Sequence, residues 1–121
     1  MLRLGKALAL VNSIVESRSV AGYNVGVTCN PRQRRQAYRG VGYEHFAIVE
    51  FGLTSRMALK LEKALYEALT ADARRASCRK YRANAKGSAH RPSLGGKTAH
   101  SDTRYDVYVA WWNIGSAGYP Y

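Results

Sequence analysis

The chain has 121 residues and is 46% hydrophobic, one domain's worth of protein with enough apolar content for a core and too much for a disordered chain. Nineteen Lys and Arg against eight Asp and Glu leave a formal charge of +11. Thirteen of the nineteen are Arg, whose planar fork of donors matches phosphate oxygens, so the excess points toward nucleic acid; charge kept only for solubility is the alternative.

Residues 2–16 form an apolar segment. Leu4, Leu8, Val11 and Val15 fit a helical stripe, while Leu10 to Val15 could equally hold a strand. The opening resembles a signal peptide only superficially, because Asn12 and Ser13 interrupt its short apolar core and no small-x-small cleavage site follows. Gly22 to Thr28 reads as a short strand. Asn30-Pro31 is a strong helix start, with Asn as N-cap and Pro at the first helical position. That helix runs Arg32 to Arg39 and is predicted to stop at Gly40 in a left-handed conformation.

Tyr43 to Phe51 is β-rich and reads as a mostly buried strand. Thr54 or Ser55 then caps an amphipathic helix over Arg56 to Leu69, with Met57, Leu61, Ala64, Leu65 and Ala68 at helical spacing. From Ala73 to Lys97 the chain carries eight cations and no acid. Gly87, Pro92, Gly95 and Gly96 predict an extended loop there after a helical start. Arg104 to Trp112 alternates Tyr105, Val107, Val109 and Trp111 and is a strand. Residues 113–121 read as irregular.

The order predicts one small α/β (α+β) domain over residues 1–121. A mixed or antiparallel three-stranded sheet is flanked by helices, with a basic insertion at about 73–103. No apolar run approaches the ~20 residues that span a bilayer, so no membrane partner is expected. Cys29 and Cys78 stand apart without ligand spacing, and His45, His90 and His100 do not complete one, so a zinc site is not expected and a reducing cytoplasm is.

The run from Tyr23 to Glu67 resembles the GIY-YIG nuclease superfamily, which includes homing endonucleases and many phage proteins. The matching residues are Asn24-Val25-Gly26-Val27-Thr28-Cys29-Asn30-Pro31-Arg32-Gln33-Arg34-Arg35-Gln36-Ala37-Tyr38. Gly26 falls on the motif glycine, Arg34 on the family's catalytic Arg, and Tyr38 where the family places a Tyr or His. Ala58-Leu59-Lys60-Leu61-Glu62 matches the family's A-x-x-x-E helix. Tyr105 to Val109 is similar to the closing strand of larger members. The first motif, Gly-Ile-Tyr, has only Asn12-Ser13-Ile14-Val15 in its place. The second motif's tyrosine is Asn24, with Tyr23 one position early and therefore on the other face of the strand. Asn84 is nearest in order to the family's final Asn.

The resemblance implies hydrolysis of a phosphodiester with one Mg²⁺. Arg34 would offset charge in the transition state. Glu62 would hold the ion, which keeps most of its waters. Tyr38 or Tyr23, with Tyr43 as a further option, would act on the attacking water, its pKa lowered by neighbouring cations. Arg34 and Tyr38 are four apart on one helix and share a face. Each residue also has a plainer reading: Glu62 as a solvated acid, Arg34 as one charge of a basic helix, Tyr38 and Tyr23 as packing aromatics.

Arg32, Arg35 and Arg39, with Arg74, Arg75, Arg79, Lys80, Arg82, Lys86, Arg91 and Lys97, are the expected phosphate contacts. Trp111 and Trp112 face opposite sides of their strand, one in the core and one partly exposed; packing and edge cover is the favoured reading for both, and stacking on a base or meeting a partner is the alternative for the exposed one. The expected partner is nucleic acid, DNA favoured over RNA, in the cytoplasm of a bacterial or phage-infected cell. The alternatives are a non-cutting binder on the same scaffold, with a host protein or a second copy as further partner, and an RNA- or ribosome-associated basic protein.

Overall fold

The computed structural model describes residues 2–81 and 103–115. Its elements follow the chain as α1 (Leu2–Val15), β1 (Val20–Thr28), α2 (Pro31–Gly40), β2 (His45–Leu53), α3 (Ser55–Leu69), α4 (Ala76–Lys80) and β3 (Tyr105–Asn113). The sheet order is β1-β3-β2, with β3 antiparallel to both neighbours. The last strand in sequence is therefore the central one. β1 and β2 run parallel to each other on its two sides, and α2 crosses between them. This is a small α/β arrangement of a three-stranded antiparallel sheet flanked by helices.

Strand alternation sorts the side chains onto two faces. Tyr23, Val25 and Val27 of β1 join Tyr105, Val107 and Val109 of β3 in the main core, where α1 adds Ala7, Val11 and Val15 and α3 adds Ala58, Leu61, Leu65 and Leu69. The other face carries a smaller cluster of Tyr43, Ala110 and Trp112, against which Tyr38 and Phe46 pack. α2 covers that face. The N-terminal segment is thus a helix, because its apolar stripe meets the sheet at 3.6-residue spacing.

Local chemistry sets the helix ends. Asn30 Oδ1 accepts from the Gln33 N–H at 3.2 Å, and Thr54 Oγ1 accepts from the Met57 N–H at 3.2 Å, so Thr54 is the cap of α3. Each such cap is worth ~1 kcal/mol. At the end of α2 the left-handed residue is Gly42, at φ 98°, rather than Gly40, which stays helical. The Gly42 N–H donates to the Arg39 carbonyl and the Tyr43 N–H to that of Tyr38, satisfying carbonyls that the helix leaves open.

One further expectation changes. β2 is not mostly buried: it is half-exposed along most of its length, with Phe51 at 73% exposure, because it is an edge strand. The basic segment has its expected helical start in α4, and the extended loop expected after it lies outside the described residues. Trp112 is buried and Trp111 half-exposed, on opposite faces as alternation requires. Cys29 and Cys78 are free thiols. Among the described residues no helix is long and apolar enough to cross a membrane.

A candidate site where helix α2 meets the central strand

Gly22 and Gly26 stand four apart on β1, and Tyr108 and Trp112 stand four apart on β3. The register pairs Gly26 with Tyr108 and Gly22 with Trp112. Each aromatic ring lies over its glycine. A Cβ at position 26 would collide with the Tyr108 hydroxyl and lie 2.6 Å from its Cζ. The absent side chain therefore makes the space that holds the Tyr108 hydroxyl beneath α2.

Arg34 and Tyr38, on the inward face of α2, close on that hydroxyl. Arg34 Nη1 donates to Tyr108 Oη at 3.2 Å. Tyr108 Oη in turn donates to Tyr38 Oη at 3.2 Å. The rings of Tyr38 and Tyr108 meet edge to face, 5.5 Å between centroids, and Phe46 stacks on Tyr108 at 4.8 Å. The helical spacing of Arg34 and Tyr38 converges on one point. Tyr108 is the member that sequence reasoning missed. Its signal was the matched spacing of two glycines and two aromatics on strands that turn out to be neighbours.

Burial pushes the Tyr38 hydroxyl well above its ordinary pKa, with the adjoining Tyr108 adding to the rise and the Arg34 charge opposing it. Tyr108 is also raised by burial, against the lowering effect of Tyr38 and Arg34. The expected cation-lowered tyrosine is thus corrected. Both hydroxyls are neutral near pH 7 and act as hydrogen-bonding groups.

Glu62 comes from α3 on the opposite side of the sheet. It is 1% exposed, so the reading as a solvated surface acid is also corrected. Burial raises its pKa from 4.5 to about 7, and the Arg34 charge pulls in the other direction. Glu62 therefore lies within electrostatic reach of Arg34, and its charge is felt by Tyr108 and Tyr81. No cluster of three His, Cys, Asp or Glu donors occurs among the described residues.

Tyr23 is not brought to this cluster. It faces the main core, fully buried, and its hydroxyl donates to the Ser77 carbonyl at 2.6 Å. Its ring meets Tyr81 edge to face, and Tyr81 meets Tyr66 in the same way. Burial raises its pKa strongly. Its place one position before Asn24 on an alternating strand is the cause. Asn24 faces the α2 side, 2% exposed, with no hydrogen-bond partner for Oδ1 among the described residues. Tyr43 is buried in the α2-side cluster, edge to face with both Tyr38 and Trp112.

The expected phosphate contacts separate into three groups. Arg32, Arg35 and Arg39 are exposed on the outer side of α2. Of the second set, Arg75 pairs with Glu16 at 2.6 Å and Arg74 with Asp72 at 3.5 Å. Lys80 Nζ donates to the Val15 and Ser17 carbonyls, each at 2.8 Å, at the C-terminal end of α1. An ammonium there complements the helix dipole, so Lys80 clamps α4 to α1. Arg79 is exposed. Arg82, Lys86, Arg91 and Lys97 lie outside the described residues, as do Asn84, His90 and His100. Comparison with protein-family models, curated proteins and solved structures finds no match for the chain.

Proposed function

We propose that the chain binds nucleic acid, DNA in preference to RNA, and hydrolyses a phosphodiester bond beside Arg34. The observation that carries this reading is the hydrogen-bonded run from Arg34 through Tyr108 to Tyr38, set over Gly26 on a helix with four Arg and no acid. It is the arrangement that the GIY-YIG resemblance implies for Arg34 and Tyr38, with a tyrosine supplied from β3 instead of from upstream of β1.

Arg34 uses one N–H on Tyr108 and is thereby oriented. Its other donors suit the two free oxygens of a phosphate, and in a partly buried site they offset developing charge better than in bulk water. Tyr108 holds that guanidinium, Tyr38 holds Tyr108, and both tyrosines are neutral. Glu62 is the residue that would hold Mg²⁺. Its oxygen is the right donor type for a hard ion that keeps most of its waters. Its burial means that the residues over it must part to admit those waters, and its pKa near 7 means that a proton must leave. Bound there, Mg²⁺ would supply stabilisation of the leaving oxygen.

A second reading, a binder that does not cut, is favoured by one specific observation: burial raises the tyrosine pKa values instead of lowering them. Nicking of supercoiled plasmid in Mg²⁺ separates the two. Cutting is expected from the wild type and is expected to fall about a hundredfold or more in Arg34→Ala, with loss also in Glu62→Ala. Absence of metal-dependent nicking, alongside binding that weakens steeply with salt, would assign the second reading. Nicking that survives both substitutions would remove Arg34 and Glu62 from the chemistry.

A further inference from the structure

Arg34 and Tyr38 use the inward face of α2, and Arg32 and Arg35 lie on its outer flank toward β2. Between that flank and the edge strand is a groove of about 350 Å³, lined by Pro31, Arg32, Arg35, Phe46 and Ile48. A second hollow of about 260 Å³ continues along the helix past Arg32 and Arg35 to Arg39. The first groove has guanidinium groups on one wall and an apolar, aromatic floor. A purely phosphate-binding surface has no use for that floor. Phe46 is half-buried, with its ring stacked on Tyr108 at an interplanar angle of 22°. The groove is therefore joined to the candidate site through two stacked rings.

We propose that this groove binds an unstacked nucleotide of a single strand, its base on Phe46 and Ile48 and its phosphates between Arg32 and Arg35. The volume is at the lower end of the ~300–1,000 Å³ typical of small-ligand sites, suited to one nucleotide and not to a duplex. In a duplex the base faces are stacked on one another and only their edges are presented. An aromatic floor rewards a base face, which a single strand offers. Charge complementarity selects a polyanion, and the apolar floor selects a polyanion with flat aromatic groups. This deepens the nucleic-acid reading above and rests on it. It assigns the substrate class as single-stranded, or locally unpaired, next to Arg34.

The test is fluorescence anisotropy in EDTA, so that nothing is cut. The probes are a short labelled DNA strand, the same strand in a hairpin duplex, and the same strand with abasic sites in place of its bases. The wild type should bind the intact strand about tenfold more tightly than either the duplex or the abasic strand, since one stacked base is worth about that much. Phe46→Ala should lose that tenfold and bind the intact and abasic strands alike. Phe46 also packs on Tyr38 and Tyr108, so Phe46→Leu, which keeps bulk without the aromatic face, is run beside it. The abasic probe needs no variant at all. A matched RNA strand distinguishes the two sources of this chemistry, and base-dependent binding of either supports the site. Abasic and intact strands bound equally by the wild type, or a duplex bound more tightly, overturn the groove while leaving nucleic-acid binding intact. Failure of every probe to bind at low salt overturns the nucleic-acid reading and the groove together.

Discussion

Replacing Glu62 with Gln tests whether the carboxyl is held where its burial implies. In the folded chain its pKa is raised from 4.5 to about 7. Below pH 4.5 the folded and unfolded states both carry the proton, and no penalty is felt. Between 4.5 and 7 the unfolded chain releases its proton while the folded chain keeps it, so stability falls as pH rises. Above 7 both are ionised, and the full cost of a buried carboxylate remains. That cost is roughly 3 kcal/mol, from 1.36 kcal/mol per pKa unit. Gln keeps the shape and one carbonyl acceptor but cannot ionise. Urea denaturation in EDTA at pH 4.5, 6 and 8 therefore should show Glu62→Gln gaining about 3 kcal/mol on the wild type across that range. With an m-value near ~1.5 kcal/mol/M, this is a relative midpoint shift of about 2 M. The difference between the two proteins isolates the contribution of Glu62. Arg34→Ala supplies a sign control: removing the charge that pulls the Glu62 pKa down should carry the wild-type slope to higher pH. A wild-type-minus-variant difference that stays flat, or that favours the wild type as pH rises, would refute the placement of Glu62.

Other outcomes follow from the same geometry. Gly26→Ala forces Tyr108 off its position and should cost ~1–3 kcal/mol in urea, the usual penalty of overpacking; Tyr108→Ala in the same chain should recover part of it, and strict additivity would show that the two do not meet. Lys80→Met removes two bonds from an ammonium to backbone carbonyls and should destabilise the fold by ~2–4 kcal/mol. Its salt dependence of DNA binding should match the wild type, and a lower slope would make Lys80 a phosphate contact after all. Replacing Arg32, Arg35 and Arg39 together by Ala should lower the slope of log K against log salt by about 2 to 3 with little change in stability. An unchanged slope would remove the outer side of α2 from the interface.

Most of the fold was legible because its elements are written in periodicity and caps. Asn30-Pro31 and Thr54 announce two helices, and the alternation from Tyr105 to Trp111 announces the central strand. What could not be read was which strand lies in the middle. Alternation says that a strand has two faces; it does not say which neighbours it will have. That gap explains the errors. Tyr43 to Phe51 was expected to be buried because it is apolar, yet as an edge strand it leaves Phe51 in solvent. Arg34 and Tyr38 were legible as a pair from helical spacing alone. Tyr108 was not, because its role depends on a register between residues 82 apart in the chain.

The formal charge of +11 is not spread over one uniform surface. Between residues 74 and 80, two cations tie elements together: Arg75 pairs with Glu16, and Lys80 closes the end of α1, while Arg74 and Arg79 stay on the surface. A run of positive charge in a sequence does not distinguish a phosphate grip from a set of clamps. Position does. On α2 the same residue type is divided by helical phase: Arg34 is turned inward onto Tyr108, and Arg32, Arg35 and Arg39 are turned outward beside a groove with an aromatic floor. The inward Arg is fixed by the neutral Tyr108 hydroxyl, so on the proposed reading it would need little further reorganisation to meet a phosphate. The outward Arg residues are exposed and suit the looser task of tracking a backbone. On the proposed nucleic-acid reading, one ten-residue helix would thus offer two kinds of phosphate site, sorted by the roughly hundred degrees of turn that each residue adds.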